Sequence, residues 1–379
     1  MTNAFDKNFK LGILGGGQLG RMLIQAGMDF NIPFAVLDPD AHAPCSTISE
    51  FVHGKLTDFD TVMKFGSSCG IITIEIENVN TDALKELVKK GKKVYPQPKV
   101  IELIQDKRTQ KKFYQEHGIP TAEFVLVENA ADVSRHRTFL PAVNKLGREG
   151  YDGRGVQVIE TATDLPKAFD AGGILEKLIP FEKEIAVIVA RNASGDVQTY
   201  PAVEMVFHPV QNLVEYLFAP VSLSEKVQRD ADDIARNVIQ KLDMVGLLAV
   251  EMFVTSSGDV LVNEVAPRPH NSGHQTIEAN FTSQYEQHLR AILNLPLGDT
   301  RQILPSAMVN VLGEPGFEGL ARYEGLEQIM KIPGVHVHLY GKRITKPFRK
   351  MGHVTILDED ATSLKNKASF VKQTLKVIA

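Results

Sequence analysis

The sequence has little cysteine, no tryptophan and no long hydrophobic run. Its two cysteines, Cys45 and Cys69, are too few for a disulfide framework in 379 residues, so we expect a reducing compartment and small buried thiols. No apolar segment approaches the roughly 18 residues that a membrane span needs, and the polar start does not resemble a signal peptide. These absences predict a cytoplasmic protein with no membrane partner.

An excess of positive charge is also missing. The formal net charge is −4, whereas a domain whose main partner is nucleic acid is usually basic. We therefore expect small-molecule partners and no nucleic acid. The chain exceeds the roughly 250–300 residues at which single cores stop growing, so more than one domain is expected.

The hydrophobic pattern changes twice along the chain. Residues 9–95 alternate short apolar strands with amphipathic helices, which is typical of βαβ units and a mostly parallel sheet. From about residue 143 to 265, longer β-branched runs and hairpin turns indicate an α+β region with an antiparallel sheet. Residues 300–379 return to short strands, and a final helix is predicted at Thr362–Val377. We predict an α/β and α+β protein with domains at residues 1–98, 99–298 and 299–379.

A glycine-rich turn opens the first predicted βαβ unit. Gly15 to Gly20 satisfy G-x-G-x-x-G between a strand and a helix, and Asp38 ends the next strand. This is the dinucleotide fingerprint in its required context, so an NAD-dependent oxidoreductase is one interpretation. A ribose phosphate at the same helix N-terminus, or a tight turn without a ligand, fits the motif as well.

A predicted hairpin brings two glutamates together. The turn signal Ser256–Asp259 centres the hairpin between Ser257 and Gly258, which pairs Thr255 with Val260 and Glu251 with Glu264. Opposed like charges about 5 Å apart are destabilising, and a Mg²⁺ ion between the carboxylates would remove the repulsion. The alternatives are a protonated or solvent-facing glutamate, or a register shifted by one residue.

The loop after this hairpin carries polar side chains suited to an anion. Arg268 supplies a planar donor fork, and His270 and Asn271 add neutral donors beside it. His270 and His274 have the i, i+4 spacing of a zinc pair on a helix, but the proline and glycine around them disfavour a helix. An anion site is therefore preferred to zinc, with a plain surface loop as the alternative.

Two further segments suit a nucleotide. Lys145 ends an apolar strand and precedes the glycine-rich segment 147–155, whose N–H groups can cover phosphates, although an ordinary hairpin fits too. The extended segment Ile174–Ile179 can offer backbone groups to an adenine edge, and Glu184 can accept from ribose hydroxyls. Taken alone, Glu176 and Glu184 are equally consistent with solvated edge charges.

In their order along the chain, these motifs resemble the ATP-grasp superfamily. Over nearly its full length the chain is similar to the N5-carboxyaminoimidazole ribonucleotide synthetase family, at Gly15–Met22, Glu75–Val79, Gly150–Gly155, Arg268–His274 and Arg349–His353. The resemblance implies a three-domain ATP-grasp architecture with a Rossmann-like preATP-grasp domain first. It also implies a homodimeric ligase that carboxylates 5-aminoimidazole ribonucleotide with ATP, Mg²⁺ and bicarbonate.

The resemblance further assigns roles to individual residues. ATP would be bound by Arg108, Lys145, Gly150, Gly153, Gly155, Glu176, Lys177, Ile179, Glu184, His208, Asn263 and Glu264. Mg²⁺ would be held by Glu251 and Glu264, and bicarbonate by Arg268, His270 and Asn271. The ribonucleotide would contact Gln18, Leu19 and Glu75, with its phosphate on Lys342 and Arg349. Tyr151, Asp152 and Arg154 would close over the reacting centre, where Asp152 takes the amine proton.

Two departures and two alternatives accompany this resemblance. Phe348 stands where the family more often has glycine, so the loop before Arg349 is expected to differ in shape. Glu204 and His208 are spaced differently from the family pattern. A formate-dependent glycinamide ribonucleotide formyltransferase shares the architecture, and a non-catalytic nucleotide-binding subunit would share the ATP motifs.

Overall fold

The computed structural model describes residues 9–148, 155–207 and 213–379. Six residues with predicted roles lie outside these ranges, namely Gly150, Tyr151, Asp152, Gly153, Arg154 and His208. Within the described ranges both cysteines are buried, and the helices include none that is long and apolar enough to cross a membrane.

The first region is a parallel sheet flanked by helices, which confirms the predicted Rossmann-like arrangement. Its five strands have the order β3-β2-β1-β4-β5, with every neighbouring pair parallel. The order reverses at β1, so the carboxyl ends of β1 and β4 form a crevice of the kind that binds ligands in such sheets. The elements are β1 (Leu11–Leu14), α1 (Gln18–Met28), β2 (Phe34–Asp38), β3 (Glu50–His53), α2 (Phe59–Ser67), β4 (Ile71–Ile74), α3 (Thr81–Lys89) and β5 (Lys93–Val94).

The middle region contains two antiparallel sheets, as the hairpin-rich sequence predicts. A four-stranded sheet has the order β6-β9-β7-β8, and a larger sheet begins with β15-β14-β10-β12-β13. Helix α7 packs its apolar face, including Val227, Ala231 and Val238, against the larger sheet. The elements are α4 (Pro98–Ile104), α5 (Lys107–Glu116), β6 (Phe124–Val127), α6 (Ala130–Arg135), β7 (Ala142–Leu146), β8 (Val156–Ile159), β9 (Gly173–Lys177), β10 (Phe181–Arg191), β11 (Val197–Thr199), β12 (Val203–Phe207), β13 (Val214–Ala219), α7 (Glu225–Lys241), β14 (Gly246–Thr255), β15 (Val260–Ala266), α8 (Thr276–Ala279) and α9 (Gln284–Ile292).

The last region continues the larger sheet. Pairing of β13 with β16 adds β16, β21 and β19 to it, so one sheet crosses the division proposed at residue 298. The elements are β16 (Ser306–Leu312), β17 (Gly319–Leu320), β18 (Arg322–Glu324), α10 (Leu326–Ile329), β19 (Val335–Leu339), β20 (Ile344–Thr345), β21 (Lys350–Leu357), α11 (Ala361–Thr374) and β22 (Lys376–Ile378).

The predicted final helix, Thr362–Val377, is wrong at its end. Helix α11 stops at Thr374, and Leu375 already has an extended backbone. The next residues form β22, in which the fully buried Val377 pairs with Tyr323 of β18. A β-branched residue fits a pleated, buried position, so tertiary pairing prevails over the local helical pattern.

Candidate active site

The predicted nucleotide residues meet in a cleft between the two antiparallel sheets. Strands β7 and β9 of the smaller sheet contribute Lys145 and Glu176, and strands of the larger sheet contribute Glu184, Glu251 and Asn263. Lys145 Nζ donates a hydrogen bond of 2.9 Å to Asn263 Oδ1 and so connects the two sheets. The cleft therefore has an ammonium group on one wall and carboxylates on the other.

Glu251 and Glu264 are directly opposed across β14 and β15, as predicted. The predicted register nearer the turn is wrong, because Val254 rather than Thr255 pairs with Val260. The register shifts by one residue between Glu251 and Met252, where the bulge on β15 leaves Asn263 as the extra residue. A bulge re-aims a side chain and often lies beside an active site. Here it turns Asn263 toward Lys145 and restores the pairing of the two glutamates.

The two opposed carboxyl groups respond differently to their surroundings. Burial raises the pKa of Glu251 well above its ordinary value, and the neighbouring Glu264 and Glu184 carboxylates raise it further. The pKa of Glu264 is lowered, mainly by the Lys107 ammonium, whose Nζ lies 2.7 Å from Glu264 Oε2. Crowding of this kind makes a carboxyl hard to ionise until a cation neutralises it. The pair therefore fits a divalent cation.

Glu176 organises two lysines in the floor of the cleft. Its Oε2 atom lies 2.8 Å from Lys145 Nζ and its Oε1 atom 2.7 Å from Lys111 Nζ, with the side chains of Glu176 and Lys111 almost fully buried. The Lys145 and Lys111 ammonium groups lower the pKa of Glu176 despite its burial. The carboxylate of Glu176 is therefore engaged by the two lysines and holds them in place. Only the backbone of β9 then remains available to an adenine edge.

Other predicted nucleotide residues lie around this centre. Burial and the charge of Glu264 raise the pKa of Glu184 to about 7. Arg108 lies at the rim, with its guanidinium on Asp106 at 3.0 Å and near Glu128 at 3.7 Å. Lys177 turns its side chain aside, because Nζ donates to the Phe139 carbonyl oxygen at 2.8 Å. Two predicted ATP-binding residues among the described ones remain. Gly155 has φ of +72°. The Ile179 carbonyl oxygen accepts a hydrogen bond of 3.0 Å from Phe181 N–H.

Sequence reasoning missed three lysines of the site. Lys107 and Lys111 stand one turn apart on α5, whose N-terminus is capped by Asp106. Lys350 begins β21, and its charge lowers the pKa of Glu251 and of His274. The i, i+4 spacing of Lys107 and Lys111 was a local signal for a basic helix face. Lys350 lies in the segment Arg349–His353 that resembles the family, and no local pattern indicated its place near Glu251.

The predicted anion loop lies against the opposed glutamates. His270 Nδ1 is 3.5 Å from Glu251 Oε1, and Arg268 Nε is 2.9 Å from Glu77 Oε1. Asn271 is 8% exposed, and its side-chain oxygen and nitrogen have no hydrogen-bond partner among the described residues. A buried amide without partners needs an explanation such as a ligand or a water molecule. The loop therefore offers a donor and an acceptor beside the carboxylate pair.

The glycine-rich turn binds a carboxylate of the protein itself. Gly17 N–H and Leu19 N–H donate to Glu75 at 2.6 and 3.2 Å, and Gly16 N–H donates to Asp38 at 2.6 Å. A Cβ atom on Gly17 would lie 2.3 Å from Glu75 Oε1, so glycine permits this approach. The place of a dinucleotide pyrophosphate is thus taken by an anion, which argues against the NAD interpretation. Leu19 and Glu75 meet here as predicted, and Gln18 begins α1 beside them.

The predicted phosphate ligands lie on the C-terminal region. Lys342 Nζ donates to the Lys350 carbonyl oxygen at 2.7 Å, and Arg349 Nη1 donates to the Ile344 carbonyl oxygen at 2.6 Å. Phe348 has φ of +63° and donates its N–H to the Gly313 carbonyl oxygen at 2.8 Å. This left-handed conformation is what glycine adopts readily and is unfavourable by roughly 1–2 kcal/mol for other residues. The loop thus keeps a glycine-like backbone at that position.

Three family descriptions match successive parts of the chain. They are a ribonucleotide synthetase preATP-grasp domain at residues 9–105, an ATP-grasp domain at residues 112–285, and a phosphoribosylaminoimidazole carboxylase C-terminal domain at residues 306–367. These matches confirm the predicted three-part ATP-grasp architecture. They leave open the positions at which we placed the domain boundaries.

Two curated relatives differ in length. The chain is 39% identical over 373 residues to the chloroplastic phosphoribosylaminoimidazole carboxylase of Vigna aconitifolia, covering 95% of this chain and 66% of that relative. It is 38% identical over 363 residues to the N5-carboxyaminoimidazole ribonucleotide synthase of Synechococcus elongatus, covering 93% and 90%. The chain therefore spans about two thirds of the carboxylase and most of the synthase.

Solved structures show the same similarity. N5-carboxyaminoimidazole ribonucleotide synthetase from Thermotoga maritima superposes with a TM-score of 0.90 at 40% identity, covering 98% of this chain and 99% of that one. The Aspergillus clavatus synthase, in complex with ADP and 5-aminoimidazole ribonucleotide, superposes with a TM-score of 0.88 at 32% identity, covering 97% and 98%.

Proposed function

The chain belongs to the N5-carboxyaminoimidazole ribonucleotide synthase family of ATP-grasp ligases, and we propose that it carboxylates the exocyclic amine of 5-aminoimidazole ribonucleotide with ATP and bicarbonate. The observation that carries the proposal is the 3.5 Å contact between His270 and Glu251. This contact puts the anion loop directly beside the carboxylate pair and the lysines suited to phosphates. Bicarbonate and the γ-phosphate of ATP would therefore meet at one place.

In this proposal the protein positions charge more than it forms covalent bonds. Lys145 and Lys107 would neutralise phosphate oxygens, and Glu251 and Glu264 would hold Mg²⁺, whose positive charge would stabilise the transferring phosphoryl group. Among the described residues no three His, Cys, Asp or Glu side chains form a metal site. Phosphate oxygens would complete the ligand set, in keeping with the preferences of Mg²⁺.

The reaction would proceed in two balanced steps. A bicarbonate oxygen, held by Arg268, His270 and Asn271, attacks the γ-phosphorus, and ADP leaves. The amine nitrogen of the ribonucleotide then attacks the carbon of carboxyphosphate, or of CO₂ released from it. In either case inorganic phosphate leaves with the former bicarbonate oxygen, and Asp152 takes the amine proton. Closure of Tyr151 and Arg154 over the centre would exclude water from the labile intermediate.

Bicarbonate labelled with ¹⁸O tests this sequence of bonds. Each turnover should transfer one labelled oxygen to inorganic phosphate, measured by mass spectrometry, and should require the ribonucleotide for full rate. Asp152→Asn should keep ATP binding and suppress the carboxylated product. Phosphate without label would mean that water attacks ATP and would overturn the carboxyphosphate route.

We propose a homodimer in the cytoplasm on the strength of the family resemblance. Multi-angle light scattering should then give twice the 41.8 kDa mass of the chain. A mass equal to one chain at micromolar concentration would refute the dimer and leave the proposed chemistry untouched.

A further inference from the structure

Three histidine rings lie in contact behind the anion loop. The ring of His353 stacks on that of His338, at a centroid distance of 4.4 Å with an angle of 9° between planes, and contacts that of His274 at 4.6 Å with an angle of 37°. We refer to His274, His353 and His338 as the histidine stack. His274 and His353 are 1% and 0% exposed, and the side chain of His338 is 22% exposed.

Each ring of the stack also makes a side-chain hydrogen bond. His353 Nδ1 is 3.1 Å from the Tyr340 hydroxyl, and His274 Nδ1 is 3.1 Å from the Tyr285 hydroxyl. His338 Nε2 is 2.7 Å from Glu278 Oε1 on α8. Burial lowers the pKa of His274 and of His353, so both inner rings are uncharged at neutral pH and stack without mutual repulsion.

The stack joins the anion loop, assigned to bicarbonate, to β21, which follows the proposed phosphate ligand Arg349. His274 ends the anion loop, and Gln284 binds both the N–H and the carbonyl oxygen of His270 in the same loop at 2.9 and 2.8 Å. Gln284 Nε2 also lies 3.1 Å from His274 Nδ1. His353 belongs to β21, whose first residue is Lys350 and which follows Arg349 directly. The contact of His353 with His274 therefore links β21 to the anion loop.

We propose that the histidine stack positions the anion loop against β21, so that a ribonucleotide held by the Arg349 segment places the loop for bicarbonate. His353 is a positioning residue in this view, because it is fully buried behind the loop. The proposal rests on the proposed function, since it assigns bicarbonate and the ribonucleotide to the two segments. It gives a physical reason for ATP turnover to depend on the ribonucleotide.

Ring contact, more than hydrogen bonding, holds His353. Its Nε2 atom is buried and has no hydrogen-bond partner among the described residues. One hydrogen bond leaves the imidazole free to rotate about the Tyr340 contact, whereas contact with two neighbouring rings restricts its plane. The flat shape of the side chain is therefore the property that matters.

Two substitutions separate ring shape from hydrogen bonding. His353→Gln can still accept from Tyr340 but has no ring, and His353→Phe keeps the ring without an acceptor. His336→Gln is the matched control, because His336 is an exposed histidine on the same strand as His338. For each protein one measures the melting temperature, the Kd for ATP, the KM for bicarbonate and the stimulation of MgATP hydrolysis by the ribonucleotide.

His353→Gln should bind ATP and hydrolyse it without ribonucleotide as the parent does, but lose stimulation by about tenfold, within the usual range of coupling between sites. The KM for bicarbonate should rise in parallel. His353→Phe and the control should keep most of the stimulation. Normal stimulation in a folded His353→Gln protein, or equal loss in His353→Phe, would overturn the proposal.

A second variant guards against a folding defect. If His353→Gln does not fold, His338→Gln at the partly exposed end of the stack takes its place, and unchanged stimulation there would refute the coupling. The parent protein distinguishes failure of the histidine-stack proposal from failure of the proposed function. If it shows no stimulation by the ribonucleotide, the proposed function fails before the stack is tested.

Discussion

Glu251 and Glu264 lie directly opposite each other because a bulge at Asn263 corrects the register of the hairpin by one residue. Without the bulge, the pairing set at Val254 and Val260 would place Asn263 opposite Glu251. The bulge therefore creates the carboxylate pair and turns Asn263 to Lys145 in one step. Several expected outcomes depend on this arrangement.

Glu251→Gln should lower the activity without lowering the free energy of unfolding. In buffer without divalent cations the variant should be as stable as the parent or more stable by up to ~1 kcal/mol, because a neutral amide replaces a buried carboxyl whose ionisation the neighbouring carboxylates disfavour. With Mg²⁺, ATP and substrates, product formation should fall by roughly 10²–10³-fold, as when a charge-stabilising group is removed. Urea unfolding and product assays measure the two effects.

Glu182→Gln is the control, because Glu182 is an exposed carboxylate on β10. It should change neither quantity. A Glu251→Gln protein that loses stability in cation-free buffer while retaining its activity would contradict the assignment of the pair to a cation.

Glu176→Gln should unfold more easily. The substitution leaves the buried ammonium groups of Lys111 and Lys145 without their carboxylate, and breaking a buried pair in this way costs about 3–5 kcal/mol. The KM for ATP should rise because Lys145 loses its support. Asp230→Asn, which removes an exposed partner of Lys226, should leave the free energy of unfolding almost unchanged. Equal effects of the two substitutions in urea unfolding would refute the organising role of Glu176.

Stability without ligands should depend on Glu184 in a defined pH window. The folded pKa is about 7 against an ordinary 4.5, so between these values the unfolded chain loses the proton that the folded protein keeps. The free energy of unfolding should therefore fall as pH rises from about 4.5 to about 7. Glu184→Gln should remove this part of the fall. A difference between parent and variant that stays constant with pH would contradict the raised pKa.

Gly17→Ala should act through Glu75. The added Cβ would lie 2.3 Å from Glu75 Oε1, and such overpacking typically costs about 1–3 kcal/mol. In a Glu75→Ala background the same substitution should cost much less, because the clashing atom is absent. Additive effects in this double-mutant cycle would mean that Gly17 is needed for another reason.

Local sequence signals predicted those parts of the site that lie on one hairpin or one loop. The turn at Ser257 and Gly258 predicted the pairing of Glu251 with Glu264, but only because an unpredicted bulge at Asn263 offsets the wrong register nearer the turn. The role of Glu75 at the α1 N-terminus could not be predicted, because it depends on parallel packing of β1 and β4. Likewise, Lys107 reaches Glu264 across 157 residues of sequence. Contacts of that kind are set by tertiary packing.

The carboxylation of the ribonucleotide is tested by phosphate release from MgATP and bicarbonate, with and without 5-aminoimidazole ribonucleotide. We expect strong stimulation by the ribonucleotide together with an acid-labile carboxylated product. If the ribonucleotide has no effect while glycinamide ribonucleotide with formate stimulates release, the substrate assignment is wrong. ATP left intact under both conditions would contradict the ligase itself.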